Sequence, residues 1–470
     1  MGGFKRVYFP ALFLLGLPLT ALATPLSGRI DEILKKHHLD RGKIALKIVH
    51  LADGAIWYDK NSELLLSPAS VAKLTTAQAA MKILRPDFSF KTEFYSQGEP
   101  AAGVIQNLWI KGYGDPFFVT ESLDVVVKGF QNLGIREIQG NIYADETFYD
   151  HEHPFTYLSD DRGKNYLIET GPLVFNFNTV EMIVQPGGQV GKPALLSLKH
   201  PTRYVSLQNR VKTKGRRQPV ISTERRGDVV VVRGTIPIKI RETSIREMVS
   251  EPALFLATSV WEALQLTGIT FQGKIVREAI PPEAKLIWTY HSPPLKELIS
   301  SLGKFSNNFS AEQIFKSLGA FQLGPPATMK KGQEVLQRYL ASLGITEPGV
   351  YLENGSGLSK SSRLSANHLM KVLSDIYDSP WRDDFISSLS VAGVDGTIER
   401  KLGGALRGRV FAKTGSLRKV STLAGYINHT QGPVAFVFLF NDYPGSKEKI
   451  NRVMQRILEE VLKETVEMKG

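Results

Sequence analysis

Residues 68–84 read PASVAKLTTAQAAMKIL, and this segment carries the clearest structural signal in the chain. The Ala-rich run after Pro68 favours a helix that begins close to Ser70. Residues three apart lie on one face of a helix, so Ser70 and Lys73 are expected to meet at its start, where backbone N–H groups are exposed. The spacing therefore predicts a serine hydroxyl beside a lysine amine.

This pairing has a chemical meaning if the lysine is neutral. A serine hydroxyl is a weak nucleophile until a neighbouring base takes its proton. A lysine serves as that base near pH 7 only when its pKa falls by roughly three units from about 10.4, which is on the order of 4 kcal/mol. Burial and a second cation lower a lysine pKa, so we expect another lysine near Lys73.

The Ser-x-x-Lys pattern alone is not specific, because chance gives about two copies in such a chain. It begins at four serines: Ser70, Ser301, Ser416 and Ser446. Only the first follows a predicted hairpin, in which two strands between residues 43 and 58 are joined by Asp53-Gly54. For Ser446 we predict the N-cap of a C-terminal helix.

Two further elements could complete a site with Ser70. Lys413-Thr414-Gly415 occurs once, against a chance expectation on the order of 0.1. On an edge strand it would pair with an extended peptide, with Gly415 leaving space and the other two residues meeting a terminal carboxylate. Ser306-x-Asn308 lies between helical segments, whereas its second copy, Ser365-x-Asn367, is predicted to cap a helix.

The rest of the chain alternates between β-like and helical sequence patterns. Residues 86–282 contain short β-like runs interrupted by one amphipathic helix over 123–133, which predicts an insertion. Helical patterns return over 294–343, and the chain ends in strands and a helix after Ser446. The apolar stripe of that last helix predicts packing on the preceding sheet and at most a peripheral contact with a membrane.

Composition limits the classes of protein. The 470 residues include 42% apolar residues and no cysteine, which excludes disulfides, thiolate metal sites and a cysteine nucleophile. Residues 1–23 carry Lys5 and Arg6 before a short apolar run that ends in Ala21-Leu22-Ala23. This pattern predicts a signal peptide cleaved near Ala23 and an exported protein in the periplasm or cell envelope. The net charge of +12 suits an anionic envelope, and export argues against a nucleic-acid partner.

The three motifs, in this order, resemble the signature elements of the penicillin-binding proteins and serine β-lactamases. The segments around them are similar to the class C low-molecular-weight penicillin-binding proteins, which are serine-type D-alanyl-D-alanine carboxypeptidase/endopeptidases. These segments are Pro68-Ala69-Ser70, Gly112-Tyr113-Gly114-Asp115-Pro116, His291-Ser292-Pro293-Pro294-Leu295, Asn354-Gly355-Ser356-Gly357-Leu358-Ser359, Gly393-Val394-Asp395-Gly396-Thr397 and Ala412-Lys413-Thr414-Gly415. One departure is Asn354, where the family is expected to have Asp.

The resemblance implies an α/β (α+β) fold. Its penicillin-binding/β-lactamase-like transpeptidase domain has an antiparallel sheet flanked by helices, plus a helical subdomain, and carries a large β-rich insertion of one or two modules. We place the signal peptide at 1–23, the peptidase domain at 24–90 plus 283–470, insertion module II at 91–165 plus 245–282, and module III at 166–244.

The resemblance also implies roles. Ser70 would attack the peptide bond between two D-alanines and form an acyl-enzyme, with Lys73 accepting its proton. The N–H groups of Ser70 and Ser416 would form the oxyanion hole. Ser306 would relay a proton to the leaving amine, and Asn308 would bind the substrate amide.

Two substrate contacts complete the implied site. Lys413, Thr414 and Gly415 would receive the terminal carboxylate. Asp145, in the insertion, is our candidate for contact with the diamino acid of the stem peptide, with a surface turn as the alternative. No cofactor or metal is implied, and we interpret His151-Glu152-His153 as surface residues.

The expected partners are peptidoglycan stem peptides and β-lactam antibiotics. Two other functions stay open from the sequence. A serine β-lactamase would need a base for fast deacylation, and no acid can be assigned to that task. A non-catalytic envelope-binding scaffold would keep the motifs without turnover.

Overall fold

The computed structural model describes residues 25–40, 42–150, 155–158, 165–215 and 218–464, with backbone only for 155–158 and 165–168. The predicted signal peptide and His151-Glu152-His153 lie outside the described residues. None of the helices in the described ranges is long and apolar enough to cross a membrane.

The strands are short outside the central sheet. In chain order they are β1 (Lys43–His50), β2 (Ile56–Lys60), β3 (Lys91–Ser96), β4 (Val104–Ile105), β5 (Leu108–Gly112), β6 (Glu137–Ile138), β7 (Ile142–Asp145), β8 (Phe155–Leu158), β9 (Asn165–Ile168), β10 (Thr179–Gln185), β11 (Leu195–Leu198), β12 (Ser206–Lys214), β13 (Val220–Arg226), β14 (Val229–Pro237), β15 (Thr243–Met248), β16 (Thr270–Phe271), β17 (Ile275–Arg277), β18 (Lys285–His291), β19 (Ser390–Val391), β20 (Val410–Leu417), β21 (Val420–His429) and β22 (Gly432–Asn441).

The helices lie mainly at the two ends and between β18 and β19. They are α1 (Leu26–Lys36), α2 (Ala72–Leu84), α3 (Thr120–Asn132), α4 (Pro252–Gln265), α5 (Leu295–Leu298), α6 (Ser300–Gly303), α7 (Asn308–Leu323), α8 (Met329–Ser342), α9 (Ala366–Tyr377), α10 (Arg382–Ser387) and α11 (Lys447–Lys463).

A six-stranded antiparallel sheet in the order β19-β20-β21-β22-β1-β2 forms the centre of the molecule. Its strand β22 is buried on both faces. Ala435, Val437 and Leu439 face a core shared with α2, α7, α8 and α9. Phe436 and Phe438, on the opposite face, pack with α1 and α11. The predicted antiparallel sheet flanked by helices is confirmed, and so is the packing of the last helix on that sheet.

The predicted hairpin and caps are present. Strands β1 and β2 pair in antiparallel register across the turn that contains Gly54, which has φ +73°. Ser446 caps α11, where its hydroxyl accepts a hydrogen bond from the Lys449 N–H. Ser365 caps α9 in the same way through the His368 N–H.

Most buried apolar residues between Phe94 and Tyr290 belong to a second core, in a β-rich part of the chain. A five-stranded sheet in the order β17-β7-β5-β3-β18 and two three-stranded sheets over residues 179–248 build most of it. Strand β18 pairs with β3, so residues 285–291 lie in this sheet. The boundaries given above for the peptidase domain and the two modules stay predictions.

The expectation of a single helix within the insertion was wrong. A second helix, α4, runs through PALFLATSVWEALQ and buries most of its side chains. Because apolar residues lie on nearly all its faces, the segment lacks the stripe that marks an amphipathic helix. Nine of its fourteen residues are buried, and this extent of burial is a tertiary property.

Candidate active site

Ser70 lies in a short 3₁₀ turn, Ala69–Val71, immediately before α2. Ala69 has φ +46°, a left-handed conformation that is uncommon for a residue with a Cβ. This turn directs Ser70 towards Lys73, whose Nζ lies 3.0 Å from the Ser70 Oγ. The structure therefore brings the serine and lysine together as the spacing predicts.

Lys73 is 1% exposed and has two further partners from distant parts of the chain. Its Nζ donates to the Asn308 Oδ1 at 2.8 Å and to the Ser356 carbonyl at 2.7 Å. Burial lowers the pKa of Lys73 to about 7, against the opposing effect of the Glu312 charge. If Lys73 loses one proton, its other two N–H groups can stay with Asn308 and Ser356 while the lone pair faces Ser70.

Lys413 is also buried, and it contacts the second motif. Its Nζ donates to the Ser306 Oγ at 2.8 Å and to the Thr414 carbonyl at 2.6 Å. Ser306 has φ +55°, and this tight turn places its hydroxyl before α7, where Asn308 is the first residue. Ser306 and Asn308 thus contact one lysine each and join the two lysines into one cluster.

The causes of the lowered lysine pKa values differ from those expected from the sequence. We expected a second cation to be needed to lower the pKa of Lys73, but burial is the main cause there. The pKa of Lys413 lies well below its ordinary value because of burial first, then the charge of Lys73, then that of Lys401. Desolvation comes first because both amines lie under packed side chains that exclude water.

Strand β20 has an open edge beside Ser70. Among the described strands, β19 pairs only with Phe411 and Ala412, so β20 from Lys413 onward lacks a neighbour on that side. A Cβ on Gly415 would lie 2.9 Å from the Ser70 backbone nitrogen and 2.1 Å from the Thr422 Oγ1. Glycine at this position therefore permits close approach of β20 to the serine, while its expected role in leaving space for a bound peptide stays a prediction.

The side-chain hydroxyls of Thr414 and Ser416 on β20 each form a hydrogen bond with a residue outside this strand. The Thr414 Oγ1 donates to the Thr397 Oγ1 at 2.9 Å. The Lys447 Nζ, at the start of α11, donates to the Ser416 Oγ. These contacts orient the two hydroxyls that follow Lys413 along the edge.

Asp145 is placed in the insertion, at the end of β7, and is 1% exposed. Its carboxylate accepts hydrogen bonds from the Thr147 and Ile280 N–H groups and from the Lys111 Nζ at 3.1 Å. None of its hydrogen bonds within the described chain joins it to Ser70 or Lys73. Its contact with a diamino acid stays a prediction.

Three residues that contact the cluster have no role predicted from the sequence. They are Ser356, Thr397 and Glu312. The first two lie within quoted segments, but nothing in those segments shows that they touch Lys73 and Thr414. Glu312 follows Asn308 by four residues, and this i, i+4 spacing on a helix was the available signal.

Asn354 stands where Asp was expected, and its side chain is fully buried. Its Oδ1 accepts a hydrogen bond from the Gly357 N–H at 3.1 Å, a bond that an Asp would also make. Its Nδ2 is buried without a hydrogen-bond partner in the described chain. The substitution thus keeps the loop contact and leaves one amide group unsatisfied.

Comparison with known proteins gives a consistent result. The family model of D-Ala-D-Ala carboxypeptidase 3 (S13) matches residues 26–461. The chain is 31% identical over 445 residues to the D-alanyl-D-alanine carboxypeptidase of Actinomadura sp. (strain R39), covering 90% of this chain and 82% of that protein. It is 27% identical to D-alanyl-D-alanine carboxypeptidase DacB of Haemophilus influenzae, covering 82% of each chain.

A solved structure shows the same fold. Penicillin binding protein 4 (dacB) from Haemophilus influenzae superposes with a TM-score of 0.76 at 22% identity, covering 92% of this chain and 99% of that one. The predicted mixed fold of a penicillin-binding peptidase domain with an insertion is confirmed by this similarity.

Proposed function

The chain belongs to the D-Ala-D-Ala carboxypeptidase 3 (S13) family, and from that premise we propose that it cleaves peptidoglycan stem peptides through an acyl-enzyme at Ser70. It is a serine-type D-Ala-D-Ala carboxypeptidase, a hydrolase of the penicillin-binding class. The observation that carries the proposal is the 3.0 Å contact between the Lys73 Nζ and the Ser70 Oγ in a site where Lys73 is 1% exposed.

The reaction begins with neutral Lys73. It takes the proton of Ser70 while the Oγ forms a bond to the carbonyl carbon of the penultimate D-alanine. The N–H groups of Ser70 and Ser416 then stabilise the oxyanion. Collapse of this intermediate breaks the C–N bond and leaves an ester on Ser70.

The leaving amine needs a proton at that step. Ser306 donates its own proton to the amine and receives one from Lys413, whose Nζ is 2.8 Å from the Ser306 Oγ. Water then attacks the ester carbon and gives one proton through Ser306 to Lys413, while the departing Ser70 Oγ takes its proton back from Lys73. This releases the shortened peptide and restores Ser70 and both lysines. No cofactor takes part in these steps.

Substrate binding uses the open edge of β20. An extended peptide pairs with this edge, and Asn308 donates its amide N–H to the substrate carbonyl. Lys413 and Thr414 hold the terminal carboxylate beside Gly415, which sets specificity for a free C-terminus. Asp145 is the proposed contact for the diamino acid.

The same nucleophile accounts for two further properties that we propose. A β-lactam presents a strained amide to Ser70 and acylates it, so the protein binds these antibiotics and turns them over slowly. A crosslinked peptide carries the same bond between D-amino acids, so endopeptidase activity needs no additional catalytic group. The signal-peptide pattern of residues 1–23 supports export to the periplasm or cell envelope, where peptidoglycan lies.

The first test is covalent labelling with a fluorescent penicillin. The Ser70→Ala variant should lose the label completely because it lacks the nucleophilic oxygen. Ser446→Ala is the matched control: it also removes the serine of a Ser-x-x-Lys tetrad, costs about 1 kcal/mol of helix capping and should label normally. Equal labelling of Ser70→Ala and the parent would mean that the nucleophile is misassigned.

The second readout separates the carboxypeptidase from its alternatives. Incubation with a stem pentapeptide should release D-alanine, which a binding scaffold would not do. The penicilloyl adduct should persist for minutes or longer, whereas a β-lactamase would clear it and consume the antibiotic. Mass analysis of digested crosslinked muropeptides then measures the endopeptidase activity.

A further inference from the structure

Glu312 is a buried carboxylate next to the proposed site, and the mechanism above does not use it. It is 3% exposed and lies one turn after Asn308 on α7. Residues four apart share a helix face, so both side chains point towards Lys73. A carboxylate is costly to bury unless it is paired and hydrogen-bonded, so its partners show what it does.

Its first partners are two backbone N–H groups of one loop. The Glu312 Oε2 accepts from the Gly355 N–H at 3.0 Å, and the Oε1 accepts from the Ser356 N–H at 3.1 Å. The loop packs closely against α7: a Cβ on Gly355 would lie only 2.6 Å from the Ala311 carbonyl oxygen. Glu312 therefore fixes the position of this loop through both carboxylate oxygens.

The same loop reaches α2 at two points. The Ser356 carbonyl accepts from the Lys73 Nζ at 2.7 Å, and the Gly355 carbonyl accepts from the Thr76 Oγ1 at 2.8 Å. One peptide segment thus carries its N–H groups to Glu312 and its carbonyl groups to the helix of Lys73. Movement of the carboxylate would displace an acceptor of the lysine.

Burial raises the pKa of Glu312, whereas its hydrogen bonds to Ser356 and Gly355 and the charge of Lys73 lower it. Two further amines, Lys413 on β20 and Lys401, belong to the same electrostatic environment: burial and the charges of Lys73 and Lys401 lower the pKa of Lys413. On α7 itself Lys316 pairs with Asp150, and on the loop Glu353 accepts a hydrogen bond from Ser359. Among the described acids, Glu312 is the one whose charge raises the pKa of Lys73.

We propose that Glu312 is a positioning residue for Lys73, which holds the Ser356 carbonyl against the amine and supplies the counter-charge for the ammonium formed when Ser70 gives up its proton. This inference rests on the proposed function. During acylation the proton moves from the Ser70 Oγ to the Lys73 Nζ, and a buried positive charge develops there. A fixed carboxylate nearby stabilises that charge without moving.

The test compares Glu312→Gln with the parent across pH. The measurement is the second-order rate of acylation by a fluorescent penicillin, followed in stopped flow. Loss of the negative charge lowers the pKa of Lys73, so the acid limb of the profile should move by about one unit to lower pH. The plateau rate should fall roughly tenfold or more, because the ammonium is less stable and one loop bond is lost.

Two variants separate charge from structure. Glu312→Asp keeps the charge on a shorter side chain, so its acid limb should stay at the parental pH while its plateau rate falls. If Glu312→Gln does not fold, Glu312→Asp is the variant that tests the proposal. Asp375→Asn is the matched control. Asp375 accepts hydrogen bonds from Gln78 and Lys82 of the same α2 helix, away from Lys73, and this variant should keep the parental profile.

The outcomes are distinct. A slower Glu312→Gln variant with an unmoved acid limb would overturn the counter-charge role, and an unchanged rate would overturn the proposal altogether. If Glu312→Gln does not fold, a Glu312→Asp variant with the parental rate would overturn the proposal. If the parent itself fails to acylate at Ser70, the proposed function fails instead, and the labelling experiment shows this separately.

Discussion

The proposed mechanism sets two requirements for Lys73: its amine must lie next to the Ser70 hydroxyl, and it must be neutral near pH 7. Burial meets the second requirement by lowering its pKa to about 7. The hydrogen bonds to Asn308 and Ser356 meet the first by fixing the amine. The pKa of this one residue therefore sets the pH range in which the proposed reaction proceeds.

We expect kcat/KM for release of D-alanine to rise with pH through an acid limb near pH 7. Below the pKa of Lys73 the amine is protonated in the free enzyme and cannot accept the Ser70 proton, whereas above it the base is available. Initial rates on a stem peptide between pH 5 and pH 9 measure this limb. A profile that stays flat across this range would rule out Lys73 as the base.

At the scale of elements, the site depends on the contact between the Ser70 turn and the loop at Gly357. Gly357 has φ +73°, and a Cβ there would lie 2.0 Å from the Ala69 carbonyl. The loop can approach the turn only because this residue has no side chain. The same element also carries the carbonyl that accepts from Lys73.

A Gly357→Ala variant should therefore lose most of its rate of penicillin acylation and about 2 kcal/mol or more of stability, through backbone strain and a collision with the Ser70 turn. The control is Gly344→Ala. Gly344 also has a positive φ, +67°, but no atom lies within 4 Å of its would-be Cβ. Acylation rates and thermal melts measure both variants, and equal acylation by the two would refute the role of this contact.

On the scale of the whole molecule, the insertion is attached to the helix that carries Asn308 and Glu312. The Tyr149 hydroxyl lies 2.8 Å from the Ser317 Oγ and donates to the Gln313 carbonyl at 3.1 Å. Lys316, which is 2% exposed, forms an ion pair with Asp150. The insertion and the peptidase core thus hold α7 from two sides.

Removing one partner of the Lys316–Asp150 ion pair should destabilise the protein. We expect Lys316→Met to lower the free energy of unfolding by about 3 kcal/mol, because it leaves the Asp150 charge without its partner. The double variant Lys316→Met/Asp150→Leu should recover much of this loss. Denaturant unfolding measures both.

An exposed ion pair on the next helix provides the comparison. Arg338 pairs with Glu334, and Arg338→Met should cost less than about 1 kcal/mol. If Lys316→Met is as mild as Arg338→Met, the ion pair with Asp150 does not anchor the insertion.

Much of the fold could be predicted from local patterns. The hairpin at Gly54, the caps at Ser365 and Ser446 and the apolar strands near the C-terminus follow from turn chemistry and periodicity. Helix α4 escaped prediction because it is apolar on nearly all sides. Local signals work where the apolar residues of an element form one stripe, and they fail where apolar residues are spread around the helix axis.

The residue types of the site, their order and the family of the chain can be read from the amino-acid sequence alone. The three-dimensional arrangement brings Lys73 to Asn308 and Ser356, which lie 235 and 283 residues further along the chain. It also means that burial lowers the pKa of Lys73 and that Glu312 opposes this effect. The physical reason is that desolvation and charge act through space, and a linear pattern contains no information about which distant groups exclude water from an amine.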